Sequence, residues 1–537
     1  MMIIGQTHTS LFIFFFLRVI VYYVPKLEWL PLSPSCLPVP APWAFFGVSA
    51  GAIKYHREFG YMPTDLDSTL HAFSTFSHDS RRDIYDVAVV GGGIVGVATA
   101  REIRAKYPNK RVILIEKEAD VAQHQSGHNS GCIHAGMYYK PGTAMARLCP
   151  RGHDLIVDYC KKKGVIHEMV GKLIVASSED QVKTIEEVYA NGVANGVKDM
   201  KLIYGDSEIK KKEPNITGLA AIWSPQTGIT DFAAVTRSML KDLNADAKHF
   251  ATQFQFEAQD FIGVHLSPKE EVVLIRGRES GHHGPEKTVV ARRVITCCGL
   301  NNDALAKYSG NVLSRAGKRI VQTYSFRGRY YQLTPEKRSI ITSHVYPCPD
   351  TRKGMSVGVH FTPTVDERRG RQVIIGPGSA VAFDRFGYSP YLVDLEYLFN
   401  CAFSKGGWVS LASNAKMICQ MYYMDLSRAV FLREAQKLIP EIRNEDIEDS
   451  FCGVQAIGID EAGGLAKDLS IEFCRPKKTF PGSLSKTNEL KVLSDSPVAA
   501  GTTPLILNVR NAPSPAATAC MSIAEDIVEN ASKSLAW

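Results

Sequence analysis

The sequence predicts an α/β fold in which a nucleotide-binding layer is interleaved with an antiparallel sheet and a helical segment. Three observations carry that prediction. Asp83 to Glu116 (DIYDVAVVGGGIVGVATAREIRAKYPNKRVILIE) reads without interruption as strand, glycine turn, helix and strand. Tyr324 to Leu333, Ser356 to Thr364 and Gln372 to Ala382 read as strands, with turns at Pro347 to Lys353 and Glu367 to Gly370. A helical stretch follows from about Pro390 to Ile442, and Leu505 to Glu529 closes the chain as strand (Leu505 to Val509), turn (Asn511 to Pro515) and helix (Ala516 to Glu529).

Each part of the first stretch has a physical job if the ligand is a dinucleotide. Ile84, Val87, Val89 and Val90 make a short β-branched apolar run, and Gly91-Gly92-Gly93-Ile94-Val95-Gly96 fits G-x-G-x-x-G. Gly91 permits the tight turn, Gly93 lets the backbone approach a pyrophosphate, and Gly96 lets helix and strand pack closely. The helix that Val97 to Lys106 predicts presents free N–H groups and a partial positive charge at its start. The second strand, Arg111 to Ile115, runs into Glu116, about twenty residues past Gly96, where a carboxylate reaches a ribose 2′-OH. A glycine-rich surface turn would not need the strand, the helix and the acid together.

With 537 residues, 45% of them hydrophobic and 22% charged, the chain has material for two or three folded domains. The net charge of +7 comes from 62 basic and 55 acidic residues spread along the chain, with no basic block beyond Lys161 to Lys163 and Lys210 to Lys212. These triplets read as solvated helix faces or ends, so no nucleic-acid footprint is expected. The twelve cysteines are scattered, and no C-x-x-C or paired Cys/His spacing points to zinc or a redox dithiol. Residues 1–82 read as an extension. Its apolar Leu11 to Val24 is short of the roughly 20 residues a spanning helix needs and is interrupted by Arg18. His71 to Arg82 partly resembles the end of a mitochondrial presequence.

Past Glu116, Val121 to Tyr139 (VAQHQSGHNSGCIHAGMYY) is too elaborate for a simple connection, and long structured loops usually carry function. The small residues Ser126, Gly127, Asn129, Ser130 and Gly131 could let backbone amides approach a flat, electron-rich ring, with His134 and Tyr138 turned to a substrate. Further on, Pro225 to Asp231 reads as a turn in which Thr230 or Asp231 N-caps a helix over Phe232 to Asn244. Ala251 to Glu286 gives weak strand signals broken at His282 to Pro285. Arg292 to Cys298 is a strand, followed by Gly299 and a helix from Asn302 to Tyr308.

GGGIVG, Glu116, HQSGHNSGCIHAGMYYKPG, GKLIVA (Gly171 to Ala176), KKKEPNITGLAAIWSPQTGITDF and FRGRYYQL resemble the L-2-hydroxyglutarate dehydrogenase family of the D-amino-acid-oxidase-like superfamily. The resemblance runs from about Asp83 to about Glu529. It implies a Rossmann-like FAD-binding domain built from 83–165, part of 226–312, and 446–537. It also implies a substrate domain built from 166–225 and 313–389, and a helical segment over 390–445. The resemblance places Lys117, His128, Gly299, Ser514, Ala516 and Thr518 at FAD beside Gly91, Gly93, Gly96, Glu116, Ser126, Asn129, Ser130 and Gly131. It further implies a 2-hydroxy dicarboxylate substrate, a respiratory-chain electron acceptor, a mitochondrial location and peripheral association with the inner membrane. A helix starting near Ser514 would stabilise negative charge on a reduced flavin.

Oxidising a 2-hydroxy acid needs a base for the hydroxyl proton, a hydride acceptor and cations for carboxylates. His134 and His360 are the candidate bases, and Arg327 with Tyr330 and Tyr331 is the candidate carboxylate clamp. Lys172 and Arg510 are further cations without an assigned direction, Arg510 reading as a structural or flavin-side residue rather than a substrate ligand. Where the family leads one to expect Gly-Val-Arg-Ala-Gln, this chain has Gly453-Val454-Gln455-Ala456-Ile457. That leaves open a related amino-acid or glycerol-phosphate oxidase, or a flavin-binding scaffold impaired in catalysis. Lys, Ser and Thr residues between Cys474 and Val492 read as a surface insertion.

Overall fold

The computed structural model describes residues 84–267, 269–279, 284–349, 358–477, 479–481 and 502–535. The readings for residues 1–83 and for most of the insertion before Val492 lie outside these residues.

The strand–helix–strand reading holds as β1 (Tyr85–Val90), α1 (Ile94–Lys106) and β2 (Val112–Ile115). β1 and β2 are buried on both faces, as the Val/Ile-rich run of a parallel strand requires. Parallel pairing continues from β2 to Phe250–Gln253 on one side, and from β1 to Glu286–Thr296 and then Ile506–Asn511 on the other. Ser470–Arg475 and Asn311–Ala316 extend this sheet antiparallel. The helices at Phe232–Asn244 and Cys520–Ser534 share one apolar core with α1, formed by Val97, Ile103, Val235, Met239, Ile523 and Ile527 among others.

The weak strand signals after Ala251 resolve into a twisted antiparallel meander, Phe256–Ser267, Glu270–Glu279 and Glu286–Thr296, whose last strand runs straight on to pair with β1. The strand assigned to Arg292–Cys298 is the second half of that element. Asp231 is the residue that caps Phe232–Asn244, its carboxylate accepting from the N–H groups of Ala233 and Ala234 at 2.8 and 3.1 Å. The segment read as one turn before it also contains a short strand, Gly228–Thr230. It pairs with Cys132–Ile133 and His167–Glu168 and so fastens the glycine/serine/histidine loop.

The second layer is a mixed sheet in the order 380–381, 320–333, 370–376, 360–366, 344–347, 172–176, 220–224, 201–204, with Ile447–Asp460 paired along most of Ile320–Leu333. The strand expected from Ser356 begins at His360. Four helices, Leu395–Phe403, Lys405–Ser413, Ala415–Leu426 and Arg428–Ala435, make up the expected helical stretch. The last helix starts at Cys520, four residues later than expected. Residues 516–519 form a hydrogen-bonded turn, with the Ala519 N–H donating to the Pro515 carbonyl at 3.1 Å.

Candidate active site

Between the two sheets lies a cavity of about 370 Å³, in the range of small-molecule sites. The glycine motif forms one wall, and its three key glycines are required for different reasons. Gly91 has φ +112°, and a Cβ there would lie 2.4 Å from the Cys297 carbonyl oxygen. A Cβ at Gly96 would lie 2.0 Å from the Gly91 carbonyl oxygen. Both positions are therefore closed by the protein itself. At Gly93 a Cβ would meet only the Ser126 hydroxyl, at 3.4 Å, and Gly93 lines the cavity. The fold itself leaves room for a Cβ at Gly93, on the side that faces the cavity.

Glu116 stands beside that turn. Its carboxylate accepts from the Gly92 N–H at 2.5 Å and the Glu118 N–H at 2.9 Å, and burial raises its pKa against the opposing pull of those two amides. Lys117 pairs with Glu118 and lies 4.6 Å from the Phe386 ring centre; Glu118 also meets His124 Nε2 at 2.8 Å. Ser126 accepts from the first helical N–H, that of Ile94, at 2.9 Å. His128, Asn129, Ser130, Gly299, Ser514, Ala516 and Thr518 all reach the cavity wall. Gly131 does not. At φ +71° it serves the turn that the Asn129 side chain closes onto its N–H at 2.9 Å.

Three segments distant in sequence are tied together around the cavity. Gln125 accepts from the Ala456 N–H at 2.8 Å, Asn511 accepts from the Gly458 N–H at 3.2 Å, and the Thr518 hydroxyl accepts from the His134 N–H at 3.1 Å. The loop after β2, the strand carrying Gln455 and the C-terminal return thus form one continuous wall. Gln455 is exposed and opens onto the cavity.

The pleat of Ile320–Leu333 sorts the residues proposed for chemistry. Phe326, Gly328 and Tyr330 line the cavity, so Arg327 points to the opposite face. There it is buried in an ion pair with Asp425 of Ala415–Leu426, both side chains 2% exposed. The expectation that Arg327 clamps a substrate carboxylate is corrected by this geometry. Tyr331, on the same far face, packs against Phe431. Arg510 is likewise committed, to Glu472 and the Ile320 carbonyl.

His134 lines the cavity. His360 does not: its Nδ1 donates to the Gly358 carbonyl at 2.9 Å, its ring stacks on Tyr346 at 3.7 Å, and burial pushes its pKa down to about 3. Its expected role as base is withdrawn in favour of a structural one. Lys172 finds its direction here. It is 1% exposed, its Nζ lies 3.5 Å from His134 Nδ1 and 3.8 Å from the Tyr346 ring centre, and among the described residues no carboxylate pairs with it. Sequence reasoning missed Phe386 and Tyr388, which pack on His124 and His128 from a chain segment with no motif of its own.

A family model for FAD dependent oxidoreductases matches residues 86–469. Curated relatives include the mitochondrial L-2-hydroxyglutarate dehydrogenase of Caenorhabditis briggsae, 34% identical over 467 residues, which cover 86% of this chain and 98% of that protein. The enzyme of the same name from Homo sapiens is 34% identical over 464 residues, covering 84% of this chain and 90% of the relative. Among solved structures, L-α-glycerophosphate oxidase from Mycoplasma pneumoniae with FAD bound superimposes with a TM-score of 0.57 at 20% identity, over 84% of this chain and 95% of its own; this likeness concerns the fold alone. The open Gly93 position, the half-buried carboxylate of Glu116 and the return at 514–518 on the cavity wall fit the cofactor that the family name states. The chain belongs to the FAD dependent oxidoreductases and, within them, to the L-2-hydroxyglutarate dehydrogenase family.

Proposed function

We propose that this protein oxidises L-2-hydroxyglutarate to 2-oxoglutarate in mitochondria and passes the electrons to a membrane or quinone-linked acceptor. The observation that carries the reading is the placement on the cavity wall of Tyr330 and of His134, whose N–H is tied by Thr518 to the C-terminal return, in a chain that covers 98% of the Caenorhabditis briggsae relative. When bound, the flavin supplies the hydride acceptor. Gly93 and the start of α1 would hold the pyrophosphate, and Glu116 would hold a ribose hydroxyl. His134 receives the hydroxyl proton. Burial keeps its imidazole from holding a second proton at neutral pH, so it is ready to accept one. Tyr330, held against Phe451 with ring centres 4.7 Å apart, orients the substrate through its hydroxyl, which burial keeps protonated.

Among the described residues no helix is long and apolar enough to cross a membrane. Gln455 favours one second reading, a flavin-binding scaffold weakened in catalysis, because a neutral amide stands where the family resemblance leads one to expect a cation. A panel of anaerobic additions separates the readings. L-2-Hydroxyglutarate should bleach the flavin, whereas D-alanine, sarcosine and glycerol 3-phosphate should not; bleaching by none of the four supports the scaffold.

A further inference from the structure

Lys172 is a buried lysine with no carboxylate around it among the described residues; the Cys132 thiol and the His134 ring are its polar neighbours. It sits on Lys172–Ala176, and the titratable groups around it and His134 come from every neighbouring element. These are Cys132 of Cys132–Ile133, Tyr138 of the following loop, and Cys149 of the helix Ala144–Lys163. His344 and Tyr346 of His344–Pro347 and His360 of His360–Asp366 complete the set. None is a carboxylate. Burying an ammonium without an anion is costly unless the proton can be given up or the positive charge is used. The Nζ atom has a direct partner in a residue that lines the cavity, His134 Nδ1 at 3.5 Å, and bonds of this kind tighten when the substrate complex forms.

We propose that Lys172 and His134 act as one base: the substrate hydroxyl proton passes to Nε2 of His134 while the proton on Nδ1 moves to Nζ of Lys172. The inference rests on the reading of His134 as proton acceptor. Before the step, a neutral amine accepts from Nδ1–H and Nε2 carries a lone pair. As the C2 hydrogen leaves as hydride to the flavin, the substrate O–H bond breaks and Nε2–H forms; Nδ1–H breaks and Nζ–H forms. The imidazole is neutral at both ends of the step with its hydrogen on the other nitrogen, and the positive charge ends on Lys172. A dicarboxylate in the cavity stabilises that charge, so the anionic substrate itself favours the transfer. His134 touches the substrate; Lys172 is a positioning residue that acts through it. Burial lowers the pKa of the Lys172 ammonium, which brings a neutral amine closer to working pH.

Holoenzyme labelled with ¹⁵N-histidine is titrated by NMR, with the His134 signals identified by their loss in His134→Gln. The expected result is a ring that stays neutral while its hydrogen moves from Nδ1 to Nε2 as pH falls, an exchange that Lys172→Met abolishes. In rapid-mixing experiments, flavin reduction by L-2-hydroxyglutarate should rise with pH at the same midpoint. Lys172→Met should be slower by about a hundredfold and lose that pH dependence. Lys172→Arg should fail in the same way, because it keeps the charge but cannot take up the proton. A His134 ring that keeps one tautomer throughout, or a pH profile unchanged in Lys172→Met, overturns the proposal. Should both variants fail to retain FAD, the wild-type titration alone decides. No flavin reduction in the wild-type protein would instead overturn the functional reading, and the tautomer titration would still decide the dyad.

Discussion

Substituting alanine for Gly93 and for Gly96, three residues apart, should give opposite failures. At Gly96 the added methyl carbon falls 2.0 Å from the Gly91 carbonyl oxygen, and a backbone atom cannot rotate away. Alanine is favoured over glycine within a helix by about 1 kcal/mol, but overpacking of this kind costs about 1–3 kcal/mol and more where backbone must shift. Gly96→Ala should therefore destabilise the flavin-free protein by about 2 kcal/mol net. Gly93 has φ −69° and ψ 168°, which any residue adopts, and its added carbon would only touch the Ser126 hydroxyl. Gly93→Ala should change flavin-free stability by less than about 1 kcal/mol, the range of N-cap effects. It should weaken FAD binding at least about a hundredfold, close to 2.7 kcal/mol, by filling the approach of the pyrophosphate. Thermal melts of flavin-free protein and a fluorescence titration with FAD measure the two quantities separately. Equal melting losses in the two variants, or wild-type FAD affinity in Gly93→Ala, would refute the division of labour between these glycines.

His360 sets a second expectation. Its folded-state pKa of about 3 lies below the ordinary value of 6.5, so the unfolded chain takes up a proton that the folded chain refuses. The stability it contributes is fully present above pH 6.5 and is lost as pH falls toward 3, at about 1.4 kcal/mol per pH unit. His360→Asn, which can keep the bond to the Gly358 carbonyl, should move the acid-unfolding midpoint to lower pH. An unmoved midpoint would mean that other groups govern acid unfolding. Asp425→Asn should cost about 3–5 kcal/mol by stranding the buried Arg327, while leaving the KM of the folded fraction unchanged; a raised KM would return Arg327 to the substrate site. Gln455→Arg should lower the KM for L-2-hydroxyglutarate about tenfold through a charge-assisted carboxylate contact. An unchanged KM would remove position 455 from substrate recognition.

What could be read in the sequence was what short-range chemistry determines. The β1–α1–β2 unit was legible because G-x-G-x-x-G, a change from strand to helical spacing and a terminal acid coincide within 34 residues, Asp83 to Glu116. The cap before Phe232 was legible to within one residue, Thr230 or Asp231, because capping is local. The orientation of Arg327 was not, because side chains on both faces of Ile320–Leu333 are buried and alternation then carries no sign. Lys172 was visible as a cation in an apolar strand, but its bearing on His134 depends on a fold-level juxtaposition of residues 38 apart. The start of the last helix was placed early because Ala516 to Ala519 has helical composition. In that turn Thr518 instead binds the backbone of both His134 and Cys132, contacts 384 and 386 residues away in sequence that composition does not show.

The most direct test of the account is anaerobic reduction of the purified flavoprotein. One equivalent of L-2-hydroxyglutarate should bleach the bound FAD and yield one equivalent of 2-oxoglutarate, with the D-enantiomer inert. A yellow protein that L-2-hydroxyglutarate leaves oxidised, or a protein that cannot be loaded with FAD, would contradict it.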